Sequence, residues 1–501
     1  MALQWLTLIA TIWLQSINGS NSNFPAYSSE LKKLLSISQL QLNNLAFASD
    51  AGKLLGWISG LAAAHLPLWL VLIIGSFLGL VGYGVQFLFL ANHLFSLSYC
   101  HVFLLTVLSG NSICWINTVC YTLAIKNFPY DRHFAIGLST SYVGLSAKIY
   151  TDIVDVVSAT SPTERAKAFL FLNAVLPLLV CIVSMPLARN ITDARKSRKL
   201  AGGFFTLFMI TTVTGFFAVI SSFTSLGSRV LPLVGMVVLL LSPLVIPLAE
   251  KVGEKLQKRC LIRVCDEGFG SSSDLSRVES EETKDQEFCG LGGEEIGAML
   301  MVRRVEFWLY FFVYLFGATL GLVYLNNLGQ IAESRGCLRT SSLVSVASAF
   351  SFFGRLLPCL LDYFFSRKHG VSRAAAMGAM IAPMCGAFFL LVVSRRELAL
   401  YMSTAVVGVC TGAITSISIS ATTELFGAKN FGVNHNILVS NIPMGSFLFG
   451  DLAALLYKRG GGENCMGEKC YQTTLIIWGS LCVLGTLLAF ILHSRTKIFY
   501  T

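Results

Sequence analysis

The sequence predicts an all-α membrane protein, and its composition and its long apolar runs are the two observations that predict it. The chain has 501 residues, of which 54% are hydrophobic and only 13% are charged, whereas a soluble globular protein carries about 25% charged residues. Its apolar residues stand in blocks of roughly 18 or more, which is enough to cross about 30 Å of hydrocarbon as a helix. Helices are expected because lipid offers no partner to an unpaired backbone group.

The apolar blocks divide the chain into fourteen candidate spans with a break after the eighth. They lie at 4–20, 42–64, 67–90, 100–125, 134–157, 167–188, 203–224, 230–249, 305–328, 340–362, 373–393, 397–420, 430–457 and 472–493. We therefore predict a six-helix half over 1–190, two linker spans over 191–250, and a second six-helix half over 305–495, with 12 spans as the alternative. Residues 1–20 also resemble a signal peptide, but no basic start precedes the apolar core, which favours a first span.

A polar stretch separates the two halves and differs in kind from the rest of the chain. Residues 251–304 contain a serine run, an acidic group and several glycines, and such a segment buries too little apolar area to offset the entropy of ordering it. We predict a disordered cytosolic loop. The excess of Lys and Arg in this loop and in the 189–199 loop places both inside the cell, together with the N-terminus.

The charges and cysteines exclude several other classes of protein. The net charge of +10 resides in short loops between apolar blocks, which indicates cytoplasmic anchoring rather than nucleic-acid binding. The 14 cysteines show no metal-ligand spacing, and no phosphate-cradling motif is found. Neither a cofactor nor an enzymatic activity is predicted. Cys465 and Cys470 flank a short polar loop and form either a disulfide, if that loop is extracellular, or two free thiols.

Ionisable residues within the spans are the strongest functional signal, because each costs several kcal/mol at membrane depth. Asp50 and Lys53 lie three apart in the second span, Lys148 lies in the fifth span, and Arg355 lies in the span 340–362. Pairing along a helix is one interpretation, since Lys148 also has Asp152 four residues on. The other interpretation is a polar cavity in which the three cations bind substrate and Asp50 carries a proton.

Further polar side chains mark the middle of the fourth span. Asn111 and Trp115 stand there, and their side chains either bond a neighbouring helix or line a cavity that binds substrate. Gly52, Gly56 and Gly60 are spaced by four in the second span, which predicts close helix packing. Two halves of six spans are the plan of major facilitator carriers, some of which have two linker spans between the halves, and such carriers bind substrate near the bilayer midplane between the halves.

A set of short motifs in the first 250 residues supports a more specific resemblance. In chain order they are Tyr27-Ser28-Ser29-Glu30-Leu31-Lys32, Gln41-Leu42-Asn43, Asp50-Ala51-Gly52-Lys53, Gly82-Tyr83-Gly84, Gly110-Asn111, Asn127-Phe128-Pro129 with Arg132, and Tyr142-Val143-Gly144-Leu145-Ser146. In combination they resemble the plant nodulin-like family of the major facilitator superfamily, which includes nuclear-fusion-defective-like proteins. The sequence departs from that family at Thr140, where lysine is common, and at Lys148, where a small residue is common.

The second half is more loosely similar to oxalate/formate antiporters and monocarboxylate carriers. Phe353-Gly354-Arg355, followed by Asp362 and Arg367, is similar to their eighth span and its cytoplasmic turn. The resemblance implies that Arg355 binds a substrate carboxylate and that Asp362 and Arg367 belong to a cytoplasmic gate. The basic residue that those carriers use in the eleventh span has no match here.

Together these features predict a secondary transporter of a small solute. An organic anion is favoured because the buried charges of interest are cationic, and a coupled proton is an open possibility through Asp50. The rival hypothesis is a receptor or scaffold that has kept a carrier fold without transporting, since fold alone does not settle function. A plasma-membrane location is favoured over an internal membrane.

Overall fold

The structure is a computed structural model that describes residues 2–94, 97–157, 161–191, 201–223, 229–253, 255, 295–337, 340–365, 372–461 and 465–496. Every regular element in these ranges is helical. The helices are α1 Ala2–Ile17, α2 Phe24–Leu35, α3 Gln39–Ala51, α4 Gly56–His65, α5 Leu68–Leu90, α6 Tyr99–Asn127, α7 Arg132–Ser141, α8 Ser146–Val157, α9 Pro162–Ser184, α10 Ala201–Phe223, α11 Val230–Leu241, α12 Ala298–Arg303, α13 Val305–Tyr314, α14 Leu320–Ser334, α15 Thr340–Phe365, α16 Arg373–Val393, α17 Glu397–Phe426, α18 Phe431–Val439, α19 Asn441–Gly461 and α20 Gln472–Thr496.

Ten helical stretches within the described ranges are long and apolar enough to cross a membrane. The chain is therefore a multi-pass integral membrane protein. The predicted spans 42–64 and 134–157 fall instead on helices that are interrupted partway. The 3₁₀ turn Gly52–Leu55 separates α3 from α4, and the 3₁₀ turn Tyr142–Leu145 separates α7 from α8.

The first predicted span is also interrupted in the structure, and helical residues continue beyond its predicted end at residue 20. A 3₁₀ turn follows α1, and α2 then carries the chain on to Leu35. The break is stabilised within the protein, since the backbone N–H of Gly19 donates to Ser146 Oγ at 2.9 Å. The extension is helical because Tyr27 and Leu31 of α2 are buried against later helices.

Hydrophobic packing concentrates in two regions of the chain. The largest cluster of buried apolar residues draws all its members from residues 296–492. A second large cluster is built mainly from residues 5–246 and includes Phe352, Leu356, Ile419 and Phe431 from the later part. The two parts of the chain are therefore joined by apolar packing as well as by polar contacts.

Helices α10 and α11 form a lipid-facing pair beside this bundle. Both belong to stretches long enough to span a membrane, and α10 exposes large apolar side chains such as Phe205 and Val213. The inner face of the pair is anchored, because Trp13 Nε1 of α1 donates to the Leu240 carbonyl at 2.8 Å. An exposed apolar surface of this kind suits lipid rather than water.

The polar stretch 251–304 is only partly described, and its last residues are ordered. Residues 256–294 lie outside the described ranges. Ile296 is buried, its carbonyl accepts from Asn434 Nδ2 at 2.9 Å, and the Glu295 carboxylate accepts from the backbone N–H groups of Ala428 and Lys429 at 3.3 and 2.9 Å. These residues differ from the predicted disorder because they form hydrogen bonds with residues 428–434, and sequence composition does not show such contacts.

Cys465 and Cys470 form a disulfide. Of the two possibilities left open by the sequence, the structure therefore has the disulfide. Disulfides persist in oxidising compartments and are rare in the cytosol. A disulfide here is expected if the loop between α19 and α20 is extracellular or lumenal, and the orientation derived from Lys and Arg stays a prediction.

Candidate functional site

Asp50 and Lys53 form a buried ion pair at the point where α3 gives way to the 3₁₀ turn. Lys53 Nζ lies 2.6 Å from Asp50 Oδ1, and both residues are less than 10% exposed. The second carboxylate oxygen, Asp50 Oδ2, accepts from Ser446 Oγ of α19 at 2.7 Å. Asp50 therefore holds one partner in the adjoining 3₁₀ turn and one in the later half of the chain.

Asn111 and Trp115 of α6 position the turn that carries Lys53. Asn111 Nδ2 donates to the Gly52 carbonyl at 2.9 Å, and Asn111 Oδ1 accepts from Trp115 Nε1 at 2.9 Å. Both side chains are buried. The amide thus has a protein partner at each end, and the two residues fix the backbone beside Lys53. Their predicted contact with substrate stays a prediction.

Lys148 is paired on its own helix, as its spacing from Asp152 indicated. Its Nζ lies 2.6 Å from Asp152 Oδ1, and its side chain is 16% exposed. Asp152 Oδ2 is buried and has no hydrogen-bond partner within the described chain. The pair is consequently neutral overall while keeping one unsatisfied acceptor.

Arg355 of α15 differs from both lysines because it has no carboxylate partner among the described residues. Its Nη1 reaches the Thr140 carbonyl at 3.5 Å, which is a long contact, and its Nε is buried with no hydrogen-bond partner. The residue as a whole is partly exposed. The side chain of Asp362 and all of Arg367 lie outside what the structure describes, so their predicted gating role stays a prediction.

Two buried tyrosines lie in the neighbourhood of the cationic groups, and sequence reasoning missed both. Tyr121 of α6 and Tyr314 of α13 are near Arg355, and Tyr314 is also near Lys53. A polar hydroxyl within an apolar run was the available signal. Its significance depends on which helices face each other, and that is not written in the local sequence.

The arrangement offers hydrogen-bond donors and one unneutralised positive charge in the interior of the helix bundle. No group of three or more His, Cys, Asp or Glu suited to a metal ion occurs in the described ranges.

A second polar cluster lies at the start of α7 and the end of α17. Glu424 Oε1 accepts from Arg373 Nε at 2.9 Å and lies 3.6 Å from His133 Nε2. That second polar cluster also joins the two parts of the chain, and the sequence analysis did not anticipate it.

Solved structures define the class of protein to which this fold belongs. The chain is similar to the proton:xylose symporter XylE bound to 6-bromo-6-deoxy-D-glucose, with a TM-score of 0.58, 12% identity, and coverage of 98% of this chain and 95% of that one. It is also similar to the peptide transporter POT in complex with sulfate, with a TM-score of 0.56, 12% identity, and coverage of 100% of this chain and 95% of that one. A third similar structure is XylE from E. coli in a partially occluded inward-open conformation, with a TM-score of 0.55, 10% identity, and coverage of 98% of this chain and 99% of that one. The fold is therefore that of the major facilitator transporters.

Sequence relatives give the family. Residues 4–248 match the family described as Nodulin-like, and residues 289–501 match the one described as NFD4, C-terminal domain. The chain is 37% identical over 527 residues to Protein NUCLEAR FUSION DEFECTIVE 4 of Arabidopsis thaliana, covering 99% of this chain and 89% of that protein. The protein belongs to the nodulin-like family, which confirms the resemblance inferred from its motifs.

Proposed function

We propose that the protein is a secondary transporter that moves a small organic anion across the membrane by alternating access. The fold of its structural relatives supports the transporter class. The observation that supports an anion is Arg355, which is positively charged at any physiological pH and has no carboxylate partner among the described residues.

The balance of charge in the interior supports the same proposal. Lys53 and Lys148 are each paired with an aspartate on their own helix at 2.6 Å, so neither needs a further anion. An uncompensated guanidinium at membrane depth costs several kcal/mol. A carboxylate would offset that cost and would match the guanidinium fork with two hydrogen bonds.

In this proposal the substrate binds at Arg355, with Tyr121 and Tyr314 at its sides. Asn111 and Trp115 hold the turn that carries Lys53. A proton on Asp50 would release Lys53 from its pair and make it available to the anion. Lys148 would serve the substrate in the same way after leaving Asp152.

The proposed architecture has fourteen spans and alternates access between two halves. Residues 1–190 and 305–495 form those halves, 191–250 contribute two linker spans, and 251–304 include a cytosolic loop. Asp362 and Arg367 are proposed to belong to the gate on the cytoplasmic side. The plasma membrane is the favoured location.

The test is an uptake screen with the purified full chain in proteoliposomes. Small carboxylates, amino acids, sugars and metal chelates are offered with and without an inward proton gradient. We expect saturable uptake of a carboxylate. If the folded protein takes up none of these classes, a receptor or scaffold role replaces the proposal.

Arg355→Lys then tests the site itself. This variant keeps the positive charge but loses the planar guanidinium, which can donate two parallel hydrogen bonds to a carboxylate. We therefore expect the half-saturation concentration to rise about tenfold, corresponding to one lost charge-assisted hydrogen bond. Arg495→Lys, at an exposed ion pair with Glu306, is the matched control and should leave uptake unchanged. An unchanged half-saturation concentration in Arg355→Lys would remove Arg355 from the binding site.

Asp50→Asn separates proton coupling from binding. If Asp50 carries the proton, this variant should lose uptake driven by a pH gradient while retaining exchange of internal for external substrate. Loss of both activities at normal protein abundance would contradict the coupling role. Reduced abundance alone would assign Asp50 to packing.

A further inference from the structure

Helices α4 and α18 meet at one end of the bundle, on the side away from the disulfide. The stretch Phe431–Gly460 is long enough to span the membrane, and Cys465 and Cys470 follow its far end. At 1.5 Å per residue, the start of α18 lies about 45 Å from that end. Because we expect the disulfide on the oxidising side of the membrane, we place the contact between α4 and α18 on the cytoplasmic side.

At this contact the two helices touch through their backbones. A Cβ placed on Gly60 of α4 would lie 2.3 Å from the carbonyl carbon and oxygen of Gly432 in α18, and one placed on Gly432 would lie 3.1 Å from Gly60 Cα. Atoms cannot approach that closely without displacement of the backbone. Side chains are excluded from the interface, and only glycine fits at Gly60.

A hydrogen bond fastens the same contact. Asn436 Nδ2 of α18 donates to Thr118 Oγ1 of α6 at 2.9 Å. Thr118 Oγ1 also lies 2.8 Å from Ser59 Oγ of α4. Three side chains from α4, α6 and α18 thus share one buried polar contact, and it joins the two parts of the chain.

At the other end of the same two stretches, α3 and α19 meet through side chains. The ring centroids of Phe47 and Phe447 lie 5.5 Å apart, and Asp50 Oδ2 accepts from Ser446 Oγ at 2.7 Å. The direct backbone contact of Gly60 with Gly432 therefore differs in kind from the side-chain contacts at the other end.

We propose that Gly60 and Gly432 form the cytoplasmic gate, closed by direct backbone contact and locked by the Asn436–Thr118 hydrogen bond. The glycine spacing noted in the sequence then has a role beyond packing, since it permits this closure. The proposal depends on the proposed function only in requiring that the two halves move against each other. The cytoplasmic side opens when this contact parts.

Hydrogen exchange followed by mass spectrometry tests the gate without any substrate. The full chain in lipid nanodiscs is compared with Gly60→Ala, which adds a Cβ where none fits, and with Thr118→Val, which keeps the shape but removes the hydrogen-bond acceptor. We expect amides of α4 and α18 to exchange about tenfold faster in Gly60→Ala, the factor that corresponds to 1.4 kcal/mol. Thr118→Val should change them in the same direction by a smaller factor, and it decides the test if Gly60→Ala fails to fold.

The outer ends of the same crossings supply the discriminating readout. If the halves rock, opening the cytoplasmic gate should slow exchange in the outer turns of α3 and α19. Gly450→Ala of α19 is the matched control, because nothing lies within 4 Å of the added Cβ, and it should match the wild type. Faster exchange at both ends, or no change in α4 and α18 of either folded variant, would overturn the gate. A failed substrate screen with a positive exchange result would overturn only the transport proposal.

Discussion

Removing the Asp50 carboxylate should leave the positive charge of Lys53 buried without its partner, and the structure allows the resulting loss in the free energy of unfolding to be estimated. Lys53 is 8% exposed, and its Nζ lies 2.6 Å from the Asp50 carboxylate. A basic side chain left alone at the centre of a membrane helix costs about 2.5–3.5 kcal/mol on insertion scales, and breaking a buried pair from one side costs about 3–5 kcal/mol. We therefore expect Asp50→Ala to lower the free energy of unfolding by about 3 kcal/mol.

Two further variants separate charge from contact. Asp50→Asn keeps an oxygen for Lys53 and a polar atom for Ser446, so it should cost less than Asp50→Ala. Replacing the pair together, with Asp50→Ala and Lys53→Met, removes both charges and should recover most of the loss. The measurement is unfolding in SDS, analysed as a double-mutant cycle.

The chain contains a closely matched control. Glu30 and Lys33 have the same spacing of acid and lysine, lie 2.7 Å apart, and add a hydroxyl partner, Thr163, at 2.9 Å. Its lysine, however, is exposed: 73% of the Lys33 side chain is accessible, against 12% of the Glu30 side chain. Loss of Glu30 would leave Lys33 in solvent rather than buried, so Glu30→Ala should cost less than about 1 kcal/mol. If Asp50→Ala costs no more than Glu30→Ala, or if the double variant is as unstable as Asp50→Ala, the buried-pair argument is wrong.

Three other predictions concern packing, topology and the outer loop. Gly354→Ala should lower thermal stability strongly, because its Cβ would meet the Val409 carbonyl of α17; an unchanged unfolding midpoint would show that α15 and α17 can separate freely. A cysteine introduced at Ser272 should resist an impermeant maleimide applied to intact cells, and labelling there would contradict the cytosolic loop. Cys465 and Cys470 should react with the same reagent only after reduction by an impermeant reductant, whereas reaction without reduction would exclude the disulfide.

The sequence predicted the ion pairs that form between residues one turn apart, and it predicted close helix packing at Gly52, Gly56 and Gly60, but it did not show which helices face each other. The pairs of Lys53 with Asp50 and Lys148 with Asp152 follow from helical spacing. Ser446 could not be found in the same way, because it is 396 residues from Asp50 in sequence. Its place depends on how the two parts of the chain face each other across the bundle.

The isolation of Arg355 was partly visible in the sequence, which offers it no carboxylate nearer than Asp362. The tyrosines around it were not, since an apolar run containing Tyr121 or Tyr314 is also typical of a buried or interfacial aromatic. The long extension of the first crossing through α2 was missed for a similar reason. Its polar residues predict a loop, while burial of Tyr27 in the folded bundle stabilises a helix.

Helix α10 packs against both parts of the chain and exposes apolar side chains on its other face. A Cβ on Gly203 would lie 2.2 Å from the Trp5 ring of α1, and one on Gly215 would lie 2.3 Å from the Phe352 ring of α15. Gly203 and Gly215 are about 18 Å apart along α10, and the two aromatic rings that they contact belong to different parts of the chain. Any rocking must tilt or slide this helix against the surrounding acyl chains. If the protein transports by such rocking, bilayer thickness and lateral pressure act as mechanical loads on its conformational cycle through this lipid-facing helix.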